Sequence, residues 1–289
     1  MIGRFAPSPT GALHLGHAWS AIQAHDRARA DGGTFLLRIE DIDGTRSRPE
    51  HVQGIIDDID WLGIGWDGPV TFQSERVPLY AEALETLRAT GHVYRCFCTR
   101  SEIEAAIAAA GLAPHDGDAV PPHPASCRHR SPAEIDERLA RGEPFAWRLD
   151  MATAFAPYAG IGWEDEIAGP QPAAPLPAGD VVLWRKDAPA AYHLAVTVDD
   201  AAQGVTHVVR GKDLFAATHV HRLLQAMLGL PTPTYRHHAL LTGADGHRLA
   251  KRHGAPTLAD LRADWPDGRA LADALRAGRL PIGFAVARA

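Results

Sequence analysis

Near the N-terminus the apolar positions change period several times, and each change marks an element. Ile2 to Ala6 is a short apolar run with Arg4 inside it, stopped by Pro7-Ser8-Pro9-Thr10-Gly11, which reads as a strand running into a loop. From His17 to Ala30 the apolar positions Ala18, Ala21 and Ile22 recur at helical spacing, and Gly32-Gly33 supplies the exit. "TFLLRIE" is a second strand ending in the acidic turn "DID", and "EHVQGIIDDIDWLGI" is helical again. Strand, helix, strand, helix is the arithmetic of an α/β fold with a parallel sheet.

Further on, "GLAPHDGDAVPPHPAS" and "AGPQPAAPLPAGD" carry no regular period and read as loops, whereas the alanine-rich "IEAAIAAAGLA" reads as a helix. Residues 92–185 are therefore taken as an insertion. After it, "AYHLAVTVDDAAQGVTHVVRG" resumes a strand-like alternation and "THVHRLLQAMLGL" a helical one, so the sheet is expected to continue across the interruption.

Composition narrows the class without naming a function. The 289 residues are 46% hydrophobic and 22% charged, enough for a real core in one or two domains. No charged n-region precedes an apolar h-region, and no apolar run is long enough for a bilayer, so a cytoplasmic protein is expected. Nothing specifies an oligomer, and a monomer is the default. A net charge of −6 argues against wholesale nucleic-acid coating but leaves room for a local basic patch. Three cysteines are too few and odd in number for a disulfide framework, which turns attention to metal or thiol chemistry.

The first candidate chemistry is His14-Leu15-Gly16-His17, where a helix begins directly after a strand and a loop. A helix N-terminus carries unpaired N–H groups and partial positive charge, so such a junction suits an anion. Two histidines there can donate to phosphate oxygens as charge develops on them, and Gly16 lets a flat base approach the backbone. This is the chemistry of an ATP site.

The longer stretch "RFAPSPTGALHLGHA" resembles the first signature of class I glutamyl-tRNA synthetases, whose HIGH-type motif binds ATP. That family has a second signature, of KMSKS type, late in the chain, and "DGHRLAKRHG", Asp245 to Gly254, stands in its place. Arg248 replaces the first lysine and Ala250 the serine, while Lys251 is retained. Adenylate formation is attack of a carboxylate on the α-phosphorus with pyrophosphate leaving, catalysed by positioning and by cations on phosphate oxygens, which suits Lys251. The resemblance implies catalytic roles for His14, His17 and Lys251, an ATP site of His14, Gly16, His17 and Lys251, and a glutamate site of Arg4, Ser8, Glu40, Tyr192 and Arg210. Those residue types suit the ligand: two arginines for two carboxylates, in an order left open, and Glu40 with Tyr192 for the ammonium.

Cys96 and Cys98 in "YRCFCTR" and His123 and Cys127 in "HPASCRHR" have the number and type of zinc ligands, although a single residue between cysteines is tighter than common finger spacing. A short branch of the resembled family carries zinc on C-x-C followed by Y-x-x-x-C. Here the last pair reads H-x-x-x-C, with imidazole, an ordinary zinc ligand, in place of phenol. His115 and His129 remain rival fourth ligands.

The resemblance implies an α/β, Rossmann-like class I aminoacyl-tRNA synthetase catalytic domain. Its first half would be residues 1–91, interrupted by a zinc-bearing subdomain at 92–185, with a second half at 186–243. The KMSKS-type loop and a short helical C-terminal tail would occupy 244–289, with no anticodon-binding domain expected. In the short branch, L-glutamate is activated with ATP and Mg2+ and passed to queuosine in the anticodon of tRNA(Asp). Two rivals stand beside that expectation: a truncated glutamyl-tRNA synthetase charging the tRNA 3′ end, and a non-catalytic, synthetase-derived RNA-binding module. RNA contacts are expected from Arg128, Arg130, Lys251 and Arg252.

Overall fold

The structure is a computed structural model that describes residues 1–109, 123, 126–243, 256–281 and 283–287. Its first elements follow the apolar periods: β1 (Ile2–Phe5), α1 (Leu15–Ala30), β2 (Thr34–Ile39), α2 (Pro49–Trp61) and β3 (Thr71–Phe72). In α1, Ala18, Ala21 and Ile22 are fully buried, as their helical spacing requires. The turn after α1 needs both glycines. Gly32 adopts φ +61°, and a Cβ on Gly33 would strike the Met1 carbonyl oxygen. β1, β2 and β3 are parallel, with Arg4 opposite Leu36 and Arg38 opposite Thr71.

α3 (Val77–Ala89) leads to β4 (Val93–Cys96), α4 (Arg100–Ala109), α5 (Pro132–Ala140), β5 (Ala146–Leu149), α6 (Met151–Phe155), β6 (Gly162–Asp165), β7 (Gly169–Pro172) and β8 (Val182–Trp184). β4, β5 and β8 form an antiparallel sheet of their own. The stretch 92–185 is nevertheless not self-contained, because β6 pairs in parallel with β10 (Thr234–His238), which in turn pairs in parallel with β9 (His207–Gly211). Thr206 N–H donates to the Ile2 carbonyl (3.0 Å) and Ile2 N–H to Thr206 Oγ1 (2.9 Å), which brings β9 alongside β1. The sheet of order β3-β2-β1 and the sheet of order β9-β10-β6-β7 thereby meet edge to edge.

One expectation from the alternation is overturned. Tyr192–Ala202 is not a strand but a helix, α7. Every residue from Leu194 to Asp200 is buried, so the helix is enclosed nearly all round and its apolar positions carry no one-sided period. α8 (Phe215–Leu228) packs on α7 and ends at Gly229 in the left-handed conformation, φ +63°. After β10 come β11 (Leu241–Gly243), α9 (Leu258–Leu261), α10 (Gly268–Arg276) and β12 (Phe284–Val286), the last antiparallel to β11. One core lies between α1, α2 and the first strands, with Leu258 and Leu271 of the tail inside it, and a second joins α3, α7 and α8.

Candidate active site

A cavity of about 600 Å³ opens where β1, the loop after it, the N-terminus of α1 and the end of β9 converge. Arg4, Ser8, His14, Gly16, His17, Glu40, Tyr192 and Arg210 all line it, together with His238 and Trp19. The first eight are every described residue that the resemblance assigns to glutamate or ATP. Lys251, with Arg248, Ala250 and Arg252, lies outside the described residues. The flanks of that segment are held close by. Leu258 N–H donates to the Leu13 carbonyl (2.8 Å), His14 bridges to Thr257, and β11 lies against β12.

The histidine motif closes its own helix end. Gly16 N–H donates to His14 Nδ1 (3.1 Å) and His14 N–H to His17 Nδ1 (3.1 Å), and the two rings lie 3.8 Å apart. The sequence leads one to expect backbone N–H groups for an anion, but the Gly16 N–H is committed to His14. A neutral imidazole accepting at Nδ1 carries its proton on Nε2, so the rings, rather than the Gly16 amide, are the donors of this junction.

The other end of the cavity is a buried charge network. Arg4, 5% exposed, donates from Nε (3.0 Å) and Nη2 (3.3 Å) to the two oxygens of Asp200. Arg38, fully buried on β2, donates from Nη1 to Asp200 (2.8 Å) and Gln203 (2.8 Å) and lies 3.4 Å from Glu40. Burial pushes the Asp200 carboxyl up, but Arg4 and Arg38 outweigh it and hold it below the usual carboxylate range. Glu40 is pushed up, because its burial outweighs Arg38 and Arg4. Its backbone is pinned by Glu40 N–H donating to the Pro7 carbonyl (3.0 Å), which ties the proline loop to the end of β2. Neighbouring Asp199, wholly buried, accepts from Gln73, Arg76 and Tyr80. Arg210, 6% exposed, has a different shell: His237, Tyr192, Thr218, His221 and the Leu214 carbonyl.

Arg38, Asp200, His237 and His221 were not singled out by sequence. The only signal for Asp200 was an acidic pair, "VDD", in a run otherwise apolar.

At the end of β4, Cys96, Cys98 and His123 bring their ligand atoms within 4.8 Å of one another. Cys96 Sγ is 3.4 Å from His123 Nε2, and Cys98 Sγ is 3.3 Å from Cys127 Sγ. A thiol hydrogen bond from Cys96, with Arg130 and Cys98 beside it, holds Cys127 far below the ordinary thiol range. Burial pushes His123 down to about 4, so its imidazole is neutral. Cys127 and His123 thus sit in the protonation states a metal takes, while Cys96, pushed up by its hydrogen bond to Cys127 and by burial, would give up its proton on binding one. His129 is exposed, and His115 lies outside the described residues. Arg128 is committed to Asp180 (2.5 Å) and Asp150 (3.3 Å), and Arg130 to Cys127 and Glu134. The positive charge that the sequence offers to RNA at these two arginines is thus met inside the chain.

Among the described residues no helix is long and apolar enough to cross a membrane. A family model described as tRNA synthetases class I (E and Q), catalytic domain, matches residues 1–275. The Glutamyl-Q tRNA(Asp) synthetase of Rhodobacter capsulatus is 49% identical over 274 residues, 91% of this chain and 95% of that protein. That of Symbiobacterium thermophilum is 46% identical over 272 residues, 91% and 81% of the two chains. A glutamate tRNA ligase from Elizabethkingia meningosepticum, crystallised in complex with its amino acid, matches with TM-score 0.72 at 30% identity, over 88% of this chain and 52% of that one. The glutamate-tRNA synthetase from Elizabethkingia anophelis matches with TM-score 0.73 at 31% identity, over 88% and 53%. The chain spans about half the length of these two solved relatives.

Proposed function

The chain belongs to the class I tRNA synthetase family for E and Q, a family of ligase-type enzymes, and from that membership we propose that it activates L-glutamate with ATP and passes it to queuosine in tRNA(Asp). The observation that carries the reading is one cavity lined by both the histidine junction and the Arg4, Glu40, Tyr192 and Arg210 set. Its volume, about 600 Å³, suits an amino acid joined to a nucleotide. The acceptor rests on the relatives' names, and the glutamyl step on the chemistry of the lining.

In this reading Arg4 and Arg210 face the two carboxylates, and Glu40 with Tyr192 holds the ammonium while Ser8 closes the loop side. The α-carboxylate attacks the α-phosphorus, glutamyl-adenylate forms and pyrophosphate leaves. ATP arrives with Mg2+, and Gly16 admits its base beside the backbone. His14 and His17 donate from Nε2 to phosphate oxygens, and Lys251 supplies a cation to charge that exists only during transfer. The queuosine hydroxyl then displaces AMP from the acyl carbon.

Cys96, Cys98, His123 and Cys127 fit zinc by donor type, one ion per chain. Four protein ligands leave no open position, so the ion would cross-link the β4 end to the 126–129 turn and take no part in the reaction. One zinc per chain is expected by elemental analysis, with chelation lowering the unfolding midpoint. A chain that is equally stable after complete metal removal would exclude this role.

The test of the whole reading uses labelled glutamate and ATP. Label is expected on tRNA(Asp) that carries queuosine and not on the same tRNA without it. Label on the 3′-terminal ribose of tRNA(Glu) would instead identify a truncated glutamyl-tRNA synthetase. No glutamate-dependent pyrophosphate exchange at all would leave a non-catalytic RNA-binding module.

A further inference from the structure

Arg4 and Arg210 line the same cavity and are held in opposite ways. Arg4 is held by direct contact with a carboxylate, Asp200, which it shares with Arg38. Arg210 is surrounded by uncharged acceptors: His237 Nε2 at 3.1 Å from Nε, Thr218 Oγ1 at 2.6 Å and the Leu214 carbonyl at 3.2 Å from Nη2, and Tyr192 OH at 3.3 Å from Nη1. His221 Nδ1 lies 3.4 Å from Nη1. The carboxylate of this shell stands one ring further back. Asp165 Oδ2 is 2.7 Å from His237 Nδ1.

The geometry decides where the protons are. His237 Nε2 faces the Nε–H of Arg210 and the Thr218 hydroxyl (3.2 Å), so it must be bare, and the ring proton sits on Nδ1 and is donated to Asp165. Asp165 is itself tied down by hydrogen bonds at both oxygens. Its Oδ1 accepts from the backbone N–H of Ile167 and of Ala168 (both 2.9 Å), and its Oδ2 also accepts from His237 N–H (3.2 Å). Asp165 is 1% exposed and His237 4%. The turn between β6 and β7 thus fixes a carboxylate, the carboxylate fixes a tautomer, and the tautomer fixes the guanidinium.

We propose that Asp165 and His237 are positioning residues for amino-acid recognition. They aim Arg210 into the cavity through a neutral ring, leaving its positive charge for a carboxylate of the substrate. A carboxylate in direct contact would place Arg210 equally well but offset that charge, whereas Asp200, shared between Arg4 and Arg38, offsets that of Arg4 only in part. The proposal rests on the reading that Arg210 meets a glutamate carboxylate. It adds to that reading a role for two residues that do not touch the substrate.

The first test needs no variant. In protein labelled with 15N-histidine, long-range 1H–15N correlation is expected to show His237 with a protonated Nδ1 and a bare Nε2. A proton on Nε2 overturns the proposal. The second test measures glutamate-dependent pyrophosphate exchange. Asp165→Asn offers an N–H to one of its two sets of donors, and is expected to disturb the tautomer and raise KM for glutamate between about tenfold and a hundredfold, the effect of a misplacement near 1 Å. KM for ATP should stay within about twofold. His237→Gln, whose Oε1 can stand in for Nε2, should retain most of the affinity that His237→Phe loses. Equal losses in these two variants, an unchanged glutamate KM in Asp165→Asn, or an equal rise in both KM values would each overturn it. Arg210→Lys separates the two readings. An unchanged glutamate KM there rejects the Arg210 assignment itself, whatever tautomer His237 adopts.

Discussion

The two ends of the cavity are built by opposite means. At the His14–His17 end the ordering contacts are local: Gly16 to His14 and His14 to His17, two and three residues apart. At the Arg4–Arg210 end they join distant chain. Arg4 and Asp200 are 196 residues apart, Arg38 and Asp200 162, His237 and Asp165 72. A local device makes a compact motif, and here the tail touches it through the main-chain bridge from Thr257 to His14. A long-range one exists only when several elements have docked, so its rigidity and the stability of the whole protein are the same quantity.

The difference has a direct measure in Arg38. Fully buried, it faces Asp200, Asp199 and Glu40 together, and Arg38→Met leaves those carboxylates without their central cation. Removing one partner of a buried network costs about 3–5 kcal/mol. Urea unfolding should show a loss of that size, whereas no residue of the His14–His17 junction should approach it. A variant within about 1 kcal/mol of wild type would mean the network is not what holds this end together.

Acid should attack the same end. Burial, with Arg210 alongside, pushes His237 down to about 4 despite Asp165, while in the unfolded chain it titrates near 6.5. The unfolded state therefore binds the proton first. The contribution is intact above about pH 6.5, is lost as pH falls toward 4 and levels off below, by roughly 3 kcal/mol in all. Glu40, pushed up by burial, works in the other direction, so the quantity to measure is the difference between wild type and His237→Gln across this window. Parallel stability curves for the two would show that His237 is not buried as a neutral ring.

The same contrast explains what could be read from the chain in advance. The β1-α1-β2 start was legible because Ala18, Ala21 and Ile22 repeat every turn and Gly32-Gly33 ends the helix, all within one stretch. The line of cavity residues from Arg4 to Glu40 was legible for the same reason, as a motif. α7 was not, because a helix buried on all sides has no polar stripe to reveal its period. Nor was Asp200, whose arginines come from β1 and β2. His237 and Asp165 lie on two strands that neighbour one another only after β6 leaves the stretch taken as an insertion and pairs with β10.

At the local end the expected effect falls on rate. His14→Ala or His17→Ala removes one ring donor and should lower pyrophosphate exchange about a hundredfold, or roughly 2.7 kcal/mol of barrier. Glutamate affinity, measured directly by calorimetry, should stay near wild type, because the contacts at the Arg4–Arg210 end do not pass through this junction. Weakened glutamate binding in either variant would show that the two ends are coupled.

The smallest effect belongs to Thr257, which touches the junction from the tail. Its Oγ1 caps α9 by accepting from Asp260 N–H (3.1 Å), the Asp260 carboxylate accepts in return from Thr257 N–H (2.9 Å), and its backbone bridges to His14. Thr257→Ala removes the cap and keeps the backbone bridge. A cap of this kind is worth about 1 kcal/mol, so the unfolding midpoint should fall slightly. Because the bridge to His14 is made by the main chain, exchange should stay within about threefold of wild type, where 0.6 kcal/mol of barrier would already be visible. A loss as large as that of His14→Ala would mean that the cap, rather than the bridge, holds the histidine junction in place.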